Sequence, residues 1–224
     1  MAELRFKTID MAEARGLLER YVSDFENFGW PLYDQDPTPS TLVGVDLASP
    51  ALLSYPIKSK YLNEMGHQTR EGETLNEYNV LLRAMTAFVE TGSNEKFWEV
   101  PFSAVSALST REAGDEVQGS PGLAQLVACF DAAQNCKGLG SVAVTKILHR
   151  KRPDLVPIND SRVRKFYGVK RNSYAPLFAA IHDDLQDEET FKMLQDLASP
   201  YTGLDGRKMS ILRALDIVIW MKQA

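Results

Sequence analysis

The chain is poor in the residues from which metal and redox centres are built. It holds two cysteines, Cys129 and Cys136, and three scattered histidines, His67, His149 and His182. Two thiols cannot hold a four-cysteine iron–sulfur cluster, and the histidines form no zinc-type set. No metal and no cofactor are therefore expected. In a reducing compartment a disulfide is not expected either, and both thiols read as ordinary packing residues. Also missing is any apolar run near the roughly 20 residues needed to span a bilayer, so no membrane partner is expected. The opening Met1-Ala2-Glu3-Leu4-Arg5-Phe6-Lys7 lacks the apolar stretch and small-residue cleavage site of a secretory signal, which predicts a cytoplasmic location. There is no internal repeat, no low-complexity tract and no convincing alternating strand run.

What is present suits a helical globule. Apolar residues make up 44% of the 224 residues and charged residues 25%, enough for a sizeable interior. Asp10, with Glu13 three residues on, reads as a helix start, followed by Ala14, Leu17, Leu18, Tyr21, Val22 and Phe25 at helical spacing. Ser49-Pro50 reads as N-cap and first position of a short helix. Residues 73–91 give a clear amphipathic helix with Tyr78, Leu81, Leu82, Met85, Phe88 and Val89 on one stripe. Pro121 starts another helix after the polar, mobile-looking loop 111–121. Further helices are expected near 174–185, 187–197 and 205–222, the last apolar nearly all round and hence central. Ser40 to Val45 could form an accessory strand. The predicted class is all-α: a single two-lobed helical domain over 1–224, with lobe 1 at about 1–110 and lobe 2 at about 122–224.

Charge is distributed unevenly. Residues 137–171 hold ten basic side chains (Lys137, Lys146, Arg150, Lys151, Arg152, Arg162, Arg164, Lys165, Lys170 and Arg171) against two acids, Asp154 and Asp160. That is a net +8, which leaves −13 for the rest of a chain of net charge −5. One positive stripe on an acidic body suits a localised phosphate contact, or a solvated helix face. Within this stripe Gly138-Leu139-Gly140 leads straight into an apolar helix, Ser141 to Leu148. Glycines allow close backbone approach, and a helix start offers unpaired N–H groups to an anion. After Pro153 an apolar stretch, Leu155-Val156-Pro157-Ile158-Asn159, runs into Asp160, which could simply cap the helix that follows.

The Gly-x-Gly turn, the apolar helix and an aspartate 20 residues beyond Gly140 resemble the helix-hairpin-helix DNA glycosylases of the endonuclease III type. The resemblance covers about 30 residues, and the aspartate follows an inserted-looking Asn159. The whole chain also resembles an uncharacterised bacterial family known mainly from sequence. The glycosylase resemblance implies a helix-hairpin-helix element, DNA as partner and an N-glycosylase-like activity. Asp160 would be catalytic. Gly138, Gly140, Ser141 and Val142, with Lys137 and Lys146, would hold a phosphate, and Arg150, Lys151, Arg152, Arg162 and Arg164 would form a basic rim. The place of the lyase lysine in that family is taken by Val142, which implies a monofunctional enzyme, although Lys146 lies one turn further along the same face. A fixed carboxylate suits the oxocarbenium-like centre formed when a base leaves, and a flipped base could stack on an aromatic side chain. The candidates for stacking are Trp30, Tyr33, Tyr55, Trp98, Tyr167 and Tyr174, with Tyr167 ranked first. Two other readings stand beside this one: a small-molecule enzyme acting on a phosphate- or carboxylate-bearing metabolite, and a non-catalytic nucleic-acid-binding module.

Overall fold

A computed structural model describes residues 5–24, 32–66, 76–170 and 173–224. The fold is all-α, with eleven α-helices among these residues: α1 (Met11–Ser23), α2 (Gly44–Ala48), α3 (Ser59–Gly66), α4 (Glu77–Thr91), α5 (Phe102–Ala107), α6 (Pro121–Gln134), α7 (Ser141–Lys151), α8 (Ser161–Tyr167), α9 (Ala175–Gln186), α10 (Glu188–Ala198) and α11 (Ile211–Lys222). Three short 3₁₀ turns, Phe6–Thr8, Ser49–Leu53 and Phe97–Glu99, join them. The possible strand at Ser40 to Val45 is absent: Thr41 closes a turn back to Thr38, and Gly44 opens α2. Among the described residues the β pairing is one isolated bridge, Thr202 to Lys208.

Local chemistry sets most helix starts. Asp10, Asn76, Ser120, Asp160, Asp187 and Ser210 each accept a hydrogen bond from a backbone N–H of the first turn. This satisfies a donor that the helix cannot satisfy internally. The helix expected over 73–91 begins with Asn76 as its cap; residues 73–75 lie outside the described residues, as do Phe25, Trp30, His67 and Arg171. Gly92 and Gly168 end α4 and α8 in the left-handed region, at φ +66° and +67°, where glycine carries no Cβ penalty. Ser49 and Pro50 open a 3₁₀ turn, with Ala48 rather than Ser49 in the capping position.

The predicted stripes become the interior. Ala14, Leu18 and Tyr21 of α1 and Tyr78, Leu81, Met85, Phe88 and Val89 of α4 are buried. α11 is buried over Ile211 to Ile219 and at Met221, so it runs through the centre. α1 packs against α11 and α10, α4 against α6 and α3, and α5 against α9. Packing therefore crosses the 111–120 loop in both directions. The first residue of that loop is tied down: Arg111 grips Asp131 with both guanidinium nitrogens.

One buried ionic group fixes the N-terminal half to α7. Lys151, with its side chain fully out of solvent, pairs with Asp36 at 2.9 Å and Asp46 at 2.6 Å. It also donates to the carbonyls of Thr38 and Thr41. Arg150 pairs with Asp46 and donates to the carbonyl of Tyr33. The segment 32–54 is thereby held along α7, and its end, Leu53 and Ser54, is delivered to the cleft described below. Removing Lys151 leaves Asp36 buried without a cation, while Asp46 keeps only Arg150. Lys151→Met is expected to cost about 3–5 kcal/mol, read as a lower urea midpoint in equilibrium unfolding.

Candidate functional site

Asp160 sits where the chain turns from its apolar approach into α8. Its Oδ1 accepts from the Arg162 N–H at 2.9 Å, so it does cap the helix. Its Oδ2 is 2.9 Å from the Lys146 ammonium. Lys146, one turn into α7, also donates to the Leu53 carbonyl at 2.9 Å and lies 5.5 Å from the centre of the Tyr55 ring. Burial alone would raise the Asp160 carboxyl; Lys146, the Arg162 N–H and Arg164 outweigh it and hold the group below the ordinary carboxylate range. The aspartate is fixed and ionised.

Asn159, which looks inserted in the sequence, is what zips this corner together. Fully buried, it accepts from Arg164 at 2.6 Å and donates its side-chain amide to Ser141 Oγ at 2.9 Å. Its backbone N–H reaches Thr145 Oγ1 at 3.0 Å. These bonds set the start of α8 against the first turns of α7, and so set the distance between Asp160 and Lys146.

Two spaces share their walls at this pair. An outer cleft of about 850 Å³ is lined by Tyr55, Val142, Ser161, Arg162 and Lys165, among others. An inner cavity of about 30 Å³ reaches between α1 and α11 to Tyr21, Ile158, Arg213, Asp216 and Ile217. Leu53, Ser54, Lys146, Asp160 and Trp220 line both. Arg162 spreads over the Trp220 ring, 3.9 Å from its centre. Arg213 is buried, bonded to Asp34 at 2.9 and 3.1 Å, to Tyr21 Oη at 2.9 Å, and to Asp216. Burial, only partly offset by Arg213, raises Asp216 to about 6.

The basic stripe does not form a single surface. Lys146, Arg150, Lys151 and Arg164 are buried, and Arg150 and Lys151 are absorbed by Asp36 and Asp46. Neither can act as a rim; long side chains at the end of α7 were met by aspartates more than 100 residues earlier in the chain. Arg152 is half-buried and bonded to the carbonyls of Pro39, Lys151 and Val89. Arg164 faces the outer cleft only at its edge while bound to Asn159. Arg162 is half-buried at the cleft, Lys165 is exposed there, and Lys137 and Lys170 are exposed elsewhere.

The Gly-x-Gly turn is divided. Gly138, at φ +79°, is pressed against the Tyr61 ring, where a Cβ would collide. Its face is thus occupied by packing from α3. Gly140 is open, and Ser141 and Val142 begin α7 half-buried beside it. Among the aromatic candidates Tyr167 is removed from any stacking role. It is buried and its hydroxyl donates to Asp184 at 2.7 Å. Tyr33 is buried over His149, Trp98 packs on Phe191 and Tyr174 on Phe130. Tyr55 does border the cleft. Trp220, Arg213 and Asp216 were not singled out by sequence reading. The available signal was a charged pair at i, i+3 inside a helix otherwise apolar all round, where ionisable groups are seldom found without a partner or a task.

Both thiols are buried, and burial raises them, Cys129 to about 12 and Cys136 to about 11. Among the described residues no group of three or more His, Cys, Asp or Glu could hold a metal ion, and no helix is long and apolar enough to cross a membrane.

Fold and site together define an all-helical protein whose charged cleft is built from the starts of α7 and α8 and the side of α11. Residues 79–223 match a family of unknown function, DUF6308, and the chain belongs to that family. The matched stretch contains Lys146, Asp160, Arg213 and Asp216. No curated protein and no solved structure matches the chain.

The two cleft carboxylates should titrate apart. Carboxyl carbon NMR is expected to show Asp216 near 6 and Asp160 below the ordinary range of about 3.8. Because folding raises Asp216 above its unfolded value, the native state holds that proton more tightly. The stability that Asp216 contributes should therefore be lost as pH rises from about 4 to about 6. Asp216→Asn should remove that dependence from urea midpoints measured across the interval.

Proposed function

We propose that the cleft cleaves the base–sugar bond of a nucleotide unit in DNA, as a monofunctional N-glycosylase-like hydrolase. The observation that carries this reading is the Asp160–Lys146 pair, on a wall shared by an outer cleft and a smaller inner space. A carboxylate held ionised at that place can stabilise the positive charge that develops on the sugar as the base departs. Asp34, Asp160 and Asp216 face Lys146, Arg164 and Arg213, three carboxylates against three cations. The open start of α7 at Gly140, Ser141 and Val142, with Arg162 and Lys165, supplies donors for a flanking phosphate. We take the α6–turn–α7 unit as the hairpin, with its grip shifted from Gly138 to Gly140 because Tyr61 covers the former.

One observation favours a second reading, a small phosphate- or carboxylate-bearing metabolite in the same cleft. Four of the ten cations in the stripe are spent inside the protein, so little positive surface is left for a long duplex. The counterion arithmetic separates the two. With Lys137, Arg162, Lys165 and Lys170 as contacts, log K against log salt should fall with a slope of about −4, against about −9 had all ten been available.

The experiment is a titration against a short duplex carrying an abasic-site analogue, beside undamaged duplex, at several salt concentrations. Tighter binding to the analogue with the shallow slope supports DNA as the partner. Absence of binding at low salt removes it and leaves the metabolite reading. Asp160→Asn, which retains a helix-capping oxygen, should leave analogue binding within a few-fold and lower base release by about 100-fold or more. Binding with no base release from any substrate, in the wild type as well, would reduce the protein to a binding module.

A further inference from the structure

The inner cavity holds an atom that the reading above does not use. Asp216 is 4% exposed. Its Oδ2 is taken by Arg213, whereas its Oδ1 is buried and accepts no hydrogen bond. A buried carboxylate oxygen left in that state is costly unless something donates to it. Asp216 lines the cavity together with Asp160 and Lys146. The cavity, about 30 Å³, suits one water molecule, with Asp216, Lys146 and the Tyr21 hydroxyl as polar walls. It shares five residues with the outer cleft, so a water there would adjoin the wall that Asp216 helps to form and the walls of the cleft.

We propose that Asp216 is the proton acceptor for the attacking water, a second catalytic carboxylate that works across the cavity from Asp160. This inference rests on the hydrolase reading of the cleft. The step balances as a hydrolysis. The C–N bond breaks with its electron pair going to the base, and the water oxygen bonds the anomeric carbon. The water proton passes to Asp216 Oδ1 and from there to solvent, and the departing nitrogen takes a proton from bulk water.

Arg213 is the positioning residue for this oxygen. Held by Asp34 and Tyr21, it fixes Oδ2 and leaves Oδ1 without a donor. The groups that face Asp216 are Arg213 on its own helix, Asp160 and Lys146 across the cavity, Tyr21 from α1, and Asp34 and Tyr33 beyond Arg213. Burial raises Asp216 to about 6 against these neighbours, the range that suits a base working near neutral pH.

The test uses a chromogenic probe whose leaving group needs no protonation: 4-nitrophenyl 2-deoxyribofuranoside 5-phosphate, free and built into a DNA duplex. The wild type is expected to release nitrophenolate from at least one form, with an acid limb near pH 6. Asp216→Asn should lower kcat about 100-fold or more, leave KM within a few-fold and abolish the limb. Azide, which needs no base, should then restore turnover and yield the glycosyl azide. Because Asp216→Asn disturbs the partner of Arg213, Asp216→Glu is measured beside it. It keeps the charge but displaces the oxygen, and should lose turnover while unfolding like the wild type.

If the wild type is active and both variants keep kcat within threefold with an unchanged acid limb, the Asp216 assignment is overturned while the hydrolase reading stands. A wild type that releases nitrophenolate from neither form overturns the hydrolase reading and the assignment together.

Discussion

The site depends on a pair of buried cations at the end of α7 and the two aspartates that meet them. Lys151 and Arg150 hold Asp36 and Asp46 in the interior, and so tether the segment from Leu32 to Ser54 along α7. Such a group adds little net stability, because the attraction must offset the desolvation of every charge in it. Its effect is one of register. Only one placement of the segment satisfies the lysine ammonium, two carboxylates and the carbonyls of Thr38 and Thr41 together. That placement also brings the Leu53 carbonyl to Lys146, so the distant ionic group and the cleft are parts of one arrangement along a single helix face.

A second constraint runs through α11. Arg213 and Asp216 would be out of place in an apolar helix at the centre of the fold if each were alone. Asp34 and Tyr21 complete the coordination of Arg213 from two other parts of the chain. The result is a polar seam through the hydrophobic interior, opening at the inner cavity. Arg213 carries its charge deep inside because three separate groups share it. Carboxylates and cations alternate along the seam at the cleft floor, while Arg162 and Lys165 make its mouth positive. A ligand with an anionic handle and a centre that becomes cationic would match both ends.

How much of this could be read from the sequence follows from the range of the interactions. Helix starts at Asp10, Pro121 and Asp160 depend on the next three residues and were legible. The stripes on α1, α4 and α11 obey a 3.6-residue period and were legible as well. The ten cations were visible, but their partners were not, since Asp36 and Asp46 lie more than 100 residues away and nothing local pairs them with α7. Net charge on a segment therefore overstated the charge on its surface. Asp160 was found through its resemblance to a motif. Asp216 announced itself only as a charge in the wrong company, and the difference between a capped turn at Gly138 and an open one at Gly140 required knowing where Tyr61 would fall.

The state of the two thiols has a practical consequence. Cys129 and Cys136 are buried and held as neutral thiols well above neutral pH, and the thiolate is the form that reacts with electrophiles and oxidants. With no other sulfhydryl in the chain, the native surface is silent toward maleimides and iodoacetamides. A single cysteine introduced at the cleft mouth, for instance at Ser161, would carry a fluorophore or spin label without a background, so occupancy of the cleft could be followed in the folded protein without deleting either native cysteine.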